Sequence, residues 1–148
     1  MSHYQHILVA LDLSENTDQV LSKASLLAQQ NNARLSVVHV IEPIMEPVDY
    51  TFGSPASVTL LSIQEEIQET AETKLSKLMT PEDVLPADQY IVYGRPADQV
   101  HQLAKDKNCD LIVIGSHGRH GLALLLGSTA NAVLHGASCD VLAVRFKE

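Results

Sequence analysis

Strand-like and helix-like segments take turns along the whole chain, and this rhythm leaves few folds open to it. The first strand is His6-Ile7-Leu8-Val9-Ala10-Leu11, a continuous apolar run of the kind buried on both faces of a parallel sheet. Thr17 to Asn31 then sets Val20, Leu21, Ala24, Leu27 and Ala28 on one helical face, with Ser14 or Asn16 available as a cap. Leu35 to Ile41 reads as a second strand. Glu42 to Ser57 carries Pro43, Pro47, Gly53 and Pro55 and reads as a long loop. Leu60, Ile63, Ile67, Ala71, Leu75 and Leu78 follow at spacings of three and four, which predicts a long helix with these residues inward and Glu65, Glu66, Glu69 and Glu72 in solvent. A short strand near Gln89 to Tyr93, a turn at Gly94-Arg95-Pro96 and a helix burying Ala97, Val100, Leu103 and Ala104 come next. The fourth strand spans Asp110 to Ile114. A helix from Ser128, with Ser128 as its N-cap, to about Leu134 buries Val133 and Leu134 and leads into a fifth strand, Val141-Leu142-Ala143-Val144.

Such alternation specifies an α/β protein. Parallel strands joined by right-handed crossovers form an open, doubly wound sheet with helices on both faces, and five strands predict the order 3-2-1-4-5. Ligands of these sheets bind beyond the carboxyl ends of the strands, where the winding reverses. Here that point lies between the first and fourth strands, so the segment Leu11-Asp12-Leu13-Ser14 and the segment after Ile114 should meet in one crevice. At 148 residues the chain fits a single domain, 1–148.

The second of those segments has an unusual composition. Five of the seven glycines fall between Gly115 and Gly136, and Leu111 to Cys139 contains no Asp or Glu, although the whole chain has a formal net charge of −8. The strand breaks at Gly115-Ser116-His117-Gly118-Arg119-His120-Gly121 and the chain resumes at Gly127-Ser128-Thr129-Ala130, where a helix starts. Glycines let backbone approach a ligand closely, and a helix N-terminus attracts anions through its free N–H groups and dipole. A phosphate chain is the ligand this pattern suits. Arg119 is the one permanent cation in the stretch, and its fork of donors suits phosphate, as do the hydroxyls of Ser128 and Thr129. His117 and His120 are poised near neutral pH to join them or to stand idle in solvent.

Other classes are excluded. The acidic balance disfavours nucleic acid as a partner. No apolar run approaches the roughly 20 residues that span a bilayer, and Met1 to His6 lacks the pattern of a signal segment, so a cytoplasmic location is expected. Cys109 and Cys139, each just before an Asp and an apolar strand, read as reduced structural thiols. The turn after the first strand has no glycine, so it is no dinucleotide fingerprint. Gly121 and Gly127 enclose five residues and Ser128 stands where a P-loop needs lysine. His117-Gly118-Arg119-His120 has its glycine misplaced for a nucleotidyl-transferase motif and follows the wrong strand.

Taken together, Ile7-Leu8-Val9-Ala10-Leu11-Asp12-Leu13-Ser14, Val38-His39-Val40, Gly115-Ser116-His117-Gly118 and Gly127-Ser128-Thr129 make the chain resemble the universal stress protein family over essentially its whole length. ATP-binding members carry a late motif of the form Gly-x2-Gly-x9-Gly-Ser/Thr. Gly118 and Gly127 here enclose eight residues, one fewer, with the shortening in Arg119 to Leu126. The resemblance implies that ATP or a related adenine nucleotide is bound, with Ala10, Leu11 and Asp12 lining the adenosine side and Val40 packed on the adenine. It places Ile114, Gly115, Ser116, His117 and Gly118 along the ribose and first phosphates, and Gly127, Ser128 and Thr129 at the far phosphates. Dimerisation through the last strand, Val141, Leu142, Ala143, Val144, Arg145 and Phe146, is implied too, and an apolar edge strand is better paired than bare.

Two residues have a second reading. Asp12 suits a hydrogen bond to the nucleoside or the orientation of a magnesium ion, and equally the capping of the turn into the first helix. His39, inside a strand, reads foremost as a satisfied core histidine. No acid–base pair or activated nucleophile stands out, so the expected output is regulation of what a dimer presents to a partner protein, not turnover. A dimeric interaction module without ligand, which the shortened spacing permits, and a slow magnesium-dependent ATPase are the alternatives.

Overall fold

The computed structural model describes residues 4–43, 55–79, 84, 88–116 and 127–146, with the side chains of 55–60 left aside. Five strands, β1 (His6–Ala10), β2 (Arg34–Ile41), β3 (Gln89–Tyr93), β4 (Leu111–Gly115) and β5 (Asp140–Val144), alternate with four helices, α1 (Thr17–Asn31), α2 (Pro55–Leu78), α3 (Pro96–Asp106) and α4 (Ser128–Gly136). The strands form one sheet in the order β3-β2-β1-β4-β5, every pair parallel. This is the doubly wound α/β arrangement the alternation predicts.

Side-chain alternation along the strands divides the core in two. Ile7, Val9, Leu11, Val37, Leu111 and Val113 pack with Val20, Ala24 and Ala28 of α1 and with Leu75 of α2 on one face. On the other, Leu8, Val38, Ile112 and Ile114 pack with Val100 and Ala104 of α3 and Ala130 and Val133 of α4. The central strands β1 and β4 are almost wholly buried, as their unbroken apolar runs require. The winding reverses between them, with Ala10 paired to Ile114 at the carboxyl end.

The helices bring four corrections. α2 begins at Pro55, inside the segment read as loop, because proline is well suited to the first helical turn, where its missing N–H costs nothing. Among its described side chains, Ala71 and Leu75 are buried, whereas Ile63 and Ile67, expected inward, are 40% and 37% exposed. Leu134 of α4, also expected inward, is exposed while Val133 is fully buried. The cap of α4 is Gly127, not Ser128, in an extended conformation with no side-chain cap bond.

Candidate functional site

The carboxyl ends of β1, β2 and β4 open into a crevice of about 740 Å³. Its construction starts with the turn after β1. The Leu11 N–H donates to the Val38 carbonyl at 2.9 Å, carrying the β1 backbone one residue past the strand. Leu13 then takes φ 60°, a left-handed conformation that costs a residue with a Cβ roughly 1–2 kcal/mol. Strain of this kind concentrates at functional sites. It turns the chain at Asp12, whose Oδ1 accepts the Ser14 N–H at 3.0 Å and the Thr17 hydroxyl at 3.2 Å. Asp12 therefore does organise the entry to α1, while Asn16 at the cap position makes no side-chain cap bond. Asp12 is exposed and also lines the crevice, so the two expectations for it are compatible.

Across the switch point, the Gly127 N–H donates to the Ser116 carbonyl at 2.6 Å, and the Ser116 N–H donates to Val144 at 2.8 Å. These bonds hold the start of α4 beside the end of β4. The Asn131 N–H returns to the Gly127 carbonyl at 2.9 Å, the first bond of the helix. The N–H groups of Ser128, Thr129 and Ala130 precede it and have no intrahelical acceptor. With no side-chain cap on them, they present donors and the positive end of the helix dipole where Gly127, Ser128, Thr129 and Ala130 line the crevice.

Of the residues expected at a nucleotide, the structure brings Ala10, Leu11, Asp12, Val40, Ile114, Gly115, Gly127, Ser128 and Thr129 to one crevice. Ser116 is buried beside it and engaged through its backbone. His117, Gly118 and Arg119, with His120, lie outside the described residues. Phe146, expected at a dimer edge, has its ring over Gly115: a Cβ there would stand 2.8 Å from Phe146 Cζ and 3.3 Å from Val20 Cγ2. Glycine at 115 thus makes room for a wall of the crevice. β5 is an edge strand of the sheet, with Val141, Leu142 and Val144 half-buried and Ala143 and Arg145 exposed.

His39, read foremost as a satisfied core histidine, is half-buried and also lines the crevice. Its Nδ1 lies 2.7 Å from the Leu11 carbonyl, and the ring lines both the crevice and an adjoining cavity of about 330 Å³. That second cavity is roofed by Ile63, Glu66, Ile67, Thr70 and Lys74 of α2, so Ile63 and Ile67 face open space there and not a packed layer. The available signal was its place at the carboxyl end of β2, next to β1. Among the described residues, no group of three or more His, Cys, Asp and Glu side chains is arranged to hold a metal ion. No described helix is long and apolar enough to cross a membrane.

Comparisons with known proteins agree with this architecture. Residues 3–145 match the profile of the Universal stress protein family. The chain is 46% identical over 148 residues to Universal stress protein A homolog 1 of Coxiella burnetii, covering 99% of each. Among solved structures, universal stress protein UspA from Lactobacillus plantarum superposes with a TM-score of 0.69 at 24% identity over 99% of this chain and 100% of that one. A universal stress protein solved in complex with cAMP gives a TM-score of 0.60 at 25% identity, over 96% and 97% of the two chains. By sequence and by fold, the chain belongs to the universal stress protein family.

Proposed function

We propose that the crevice binds ATP or a related adenine nucleotide and that the chain acts as a dimeric stress-response regulator whose surface changes with nucleotide. One observation carries this reading: the uncapped first turn of α4, with the Ser128 and Thr129 hydroxyls, faces the same crevice as the turn after β1. A triphosphate would lie on those amides, and the nucleoside would extend toward Asp12 and Val40. The relative that was solved with cAMP supports an adenine nucleotide as the class. Asp12 fits a supporting part. Its Oδ1 is committed to the turn, which leaves Oδ2 for a ribose hydroxyl or for a magnesium ion carried by the phosphates. Pairing of two β5 edges through Val141 to Val144 would bury half-exposed aliphatic side chains and supply partners for the edge backbone.

The test is a thermal shift with and without MgATP. At nucleotide a hundredfold above Kd the fold gains about 2.7 kcal/mol, which for a chain of this size raises Tm by roughly 5–10 °C. An unchanged Tm at millimolar MgATP, cAMP and ADP would leave an interaction module without ligand as the better account.

A further inference from the structure

The ring of His39 is held in one tautomer by its surroundings. A carbonyl oxygen only accepts, so the 2.7 Å contact with Leu11 requires the hydrogen on Nδ1. In the neutral ring Nε2 is then a bare acceptor. Among the described residues Nε2 has no hydrogen-bond partner, and no buried side-chain nitrogen or oxygen there lacks one, so Nε2 must open into the cavity space that His39 lines. An acceptor held at a fixed angle in a crevice is a reading group for a ligand N–H.

Which part of the ligand it meets follows from the sheet. β2 and β4 flank β1, so His39 stands roughly 10 Å from the β4 side where the α4 amides lie. At the β2 side Glu42 adds a carboxylate to the Nε2 lone pair, an environment that repels phosphate. Leu11, Val40, Ile41 and Ile67 offer flat apolar walls there instead. A purine base satisfies both conditions.

Building on the nucleotide reading above, we propose that His39 Nε2 accepts a hydrogen bond from the exocyclic amine of adenine and so sets the preference for adenine over 6-oxopurines. A 6-oxopurine presents a carbonyl at that position, and two facing acceptors leave both unpaired and in repulsion. Leu11 enters as the residue that orients the ring, through its backbone.

The experiment compares ATP with ITP, which differs only in the carbonyl at carbon 6 and the proton on N1, by calorimetric titration of the wild type and of His39→Asn. Asparagine sets an amide near the position of Nδ1, keeping a donor for the Leu11 carbonyl while removing the Nε2 acceptor. The wild type is expected to prefer ATP at least tenfold, and the variant to bind the two within about twofold of each other. The Nε2 nitrogen-15 resonance of wild-type His39 should shift on adding ATP and stay in place on adding ITP, a readout independent of how well the variant folds. A wild type that binds ATP and ITP equally, a variant that keeps the full preference, or an unmoved resonance with ATP bound overturns the role of His39 and leaves nucleotide binding standing. Failure to bind either nucleotide overturns both.

Discussion

The two ends of the same sheet are built to opposite rules. At the amino ends of the strands, polar side chains close on one another. Asp110 accepts the Gln5 and His6 backbone N–H groups at 2.8 and 3.1 Å, and the Tyr4 hydroxyl donates to Asp140 at 2.9 Å. His6, itself buried, lies 3.0 Å from the Lys107 carbonyl through Nδ1 and 2.7 Å from the Ser36 hydroxyl through Nε2. Asp88, buried beneath Arg34, accepts its Nε at 3.0 Å and its Nη2 at 2.5 Å. At the carboxyl ends the groups that could close the sheet in the same way have no partner of this kind: the uncapped amides of α4, His39 Nε2 and Oδ2 of Asp12. One end spends its polar groups on the fold and the other keeps them for something else. With the proposed nucleotide at the open end, the contrast predicts that changes at each end affect either stability or binding and spare the other.

The largest expected effect is at the closed end. Asp88→Ala removes the acceptor of a two-pronged guanidinium contact and should cost roughly 2–3 kcal/mol in urea denaturation, limited because the Arg34 side chain, 60% exposed, stays hydrated when released. Nucleotide affinity should stay within about twofold. A loss under about 0.5 kcal/mol would show that the closed end does not carry the stability assigned to it.

At the open end the signs part. Ser128→Asp places a carboxylate in the first turn of α4, where the dipole stabilises it by about 0.3–1 kcal/mol. The same charge should weaken ATP binding at least tenfold, about 1.4 kcal/mol. A stabilised variant that binds ATP as well as the wild type would remove the phosphates from α4.

The smallest effect is a pH dependence, again at the closed end. Burial pushes the Cys109 thiol up to about 12 from its ordinary 9.0. Below pH 9 both folded and unfolded chains keep the proton, and stability does not depend on it. As pH rises above 9 the unfolded chain releases a proton that the folded one retains, so this contribution is lost progressively through about 12. The loss due to Cys109 should stay below about 1 kcal/mol at about pH 9.5, and Cys109→Ala should reduce the pH dependence to the part left by Cys139, whose thiol burial also pushes up, as followed by urea midpoints.

The same contrast shows what a sequence makes legible. The fold was readable because buried parallel strands write themselves as continuous apolar runs such as Ile7 to Leu11, and the crossover rule then leaves one order for five of them. The crevice was readable at its β4–α4 end, where glycines and hydroxyls cluster locally. At its other end the switch-point rule brought in Leu11 and Asp12, but the contribution of β2 side chains was not legible, because it depends on where strands lie side by side. His39 looks like any strand histidine until β2 is set beside β1 and the Leu11 carbonyl fixes its ring. Ile63 and Ile67 have the spacing of a packed face, yet the space below them is a cavity, which periodicity alone does not reveal. Ser128 has the chemistry of a cap, but it is the first helical residue, and the cap falls one residue earlier, at Gly127 in an extended conformation.

The most direct test is amide-resolved NMR of the chain titrated with MgATP. The account predicts shifts at Leu11, Asp12, Val40, Ser128, Thr129 and Ala130, while Gln5, His6, Ser36 and Asp110 at the opposite end stay in place. Shifts confined to the closed end, or none at all at saturating nucleotide, would contradict it.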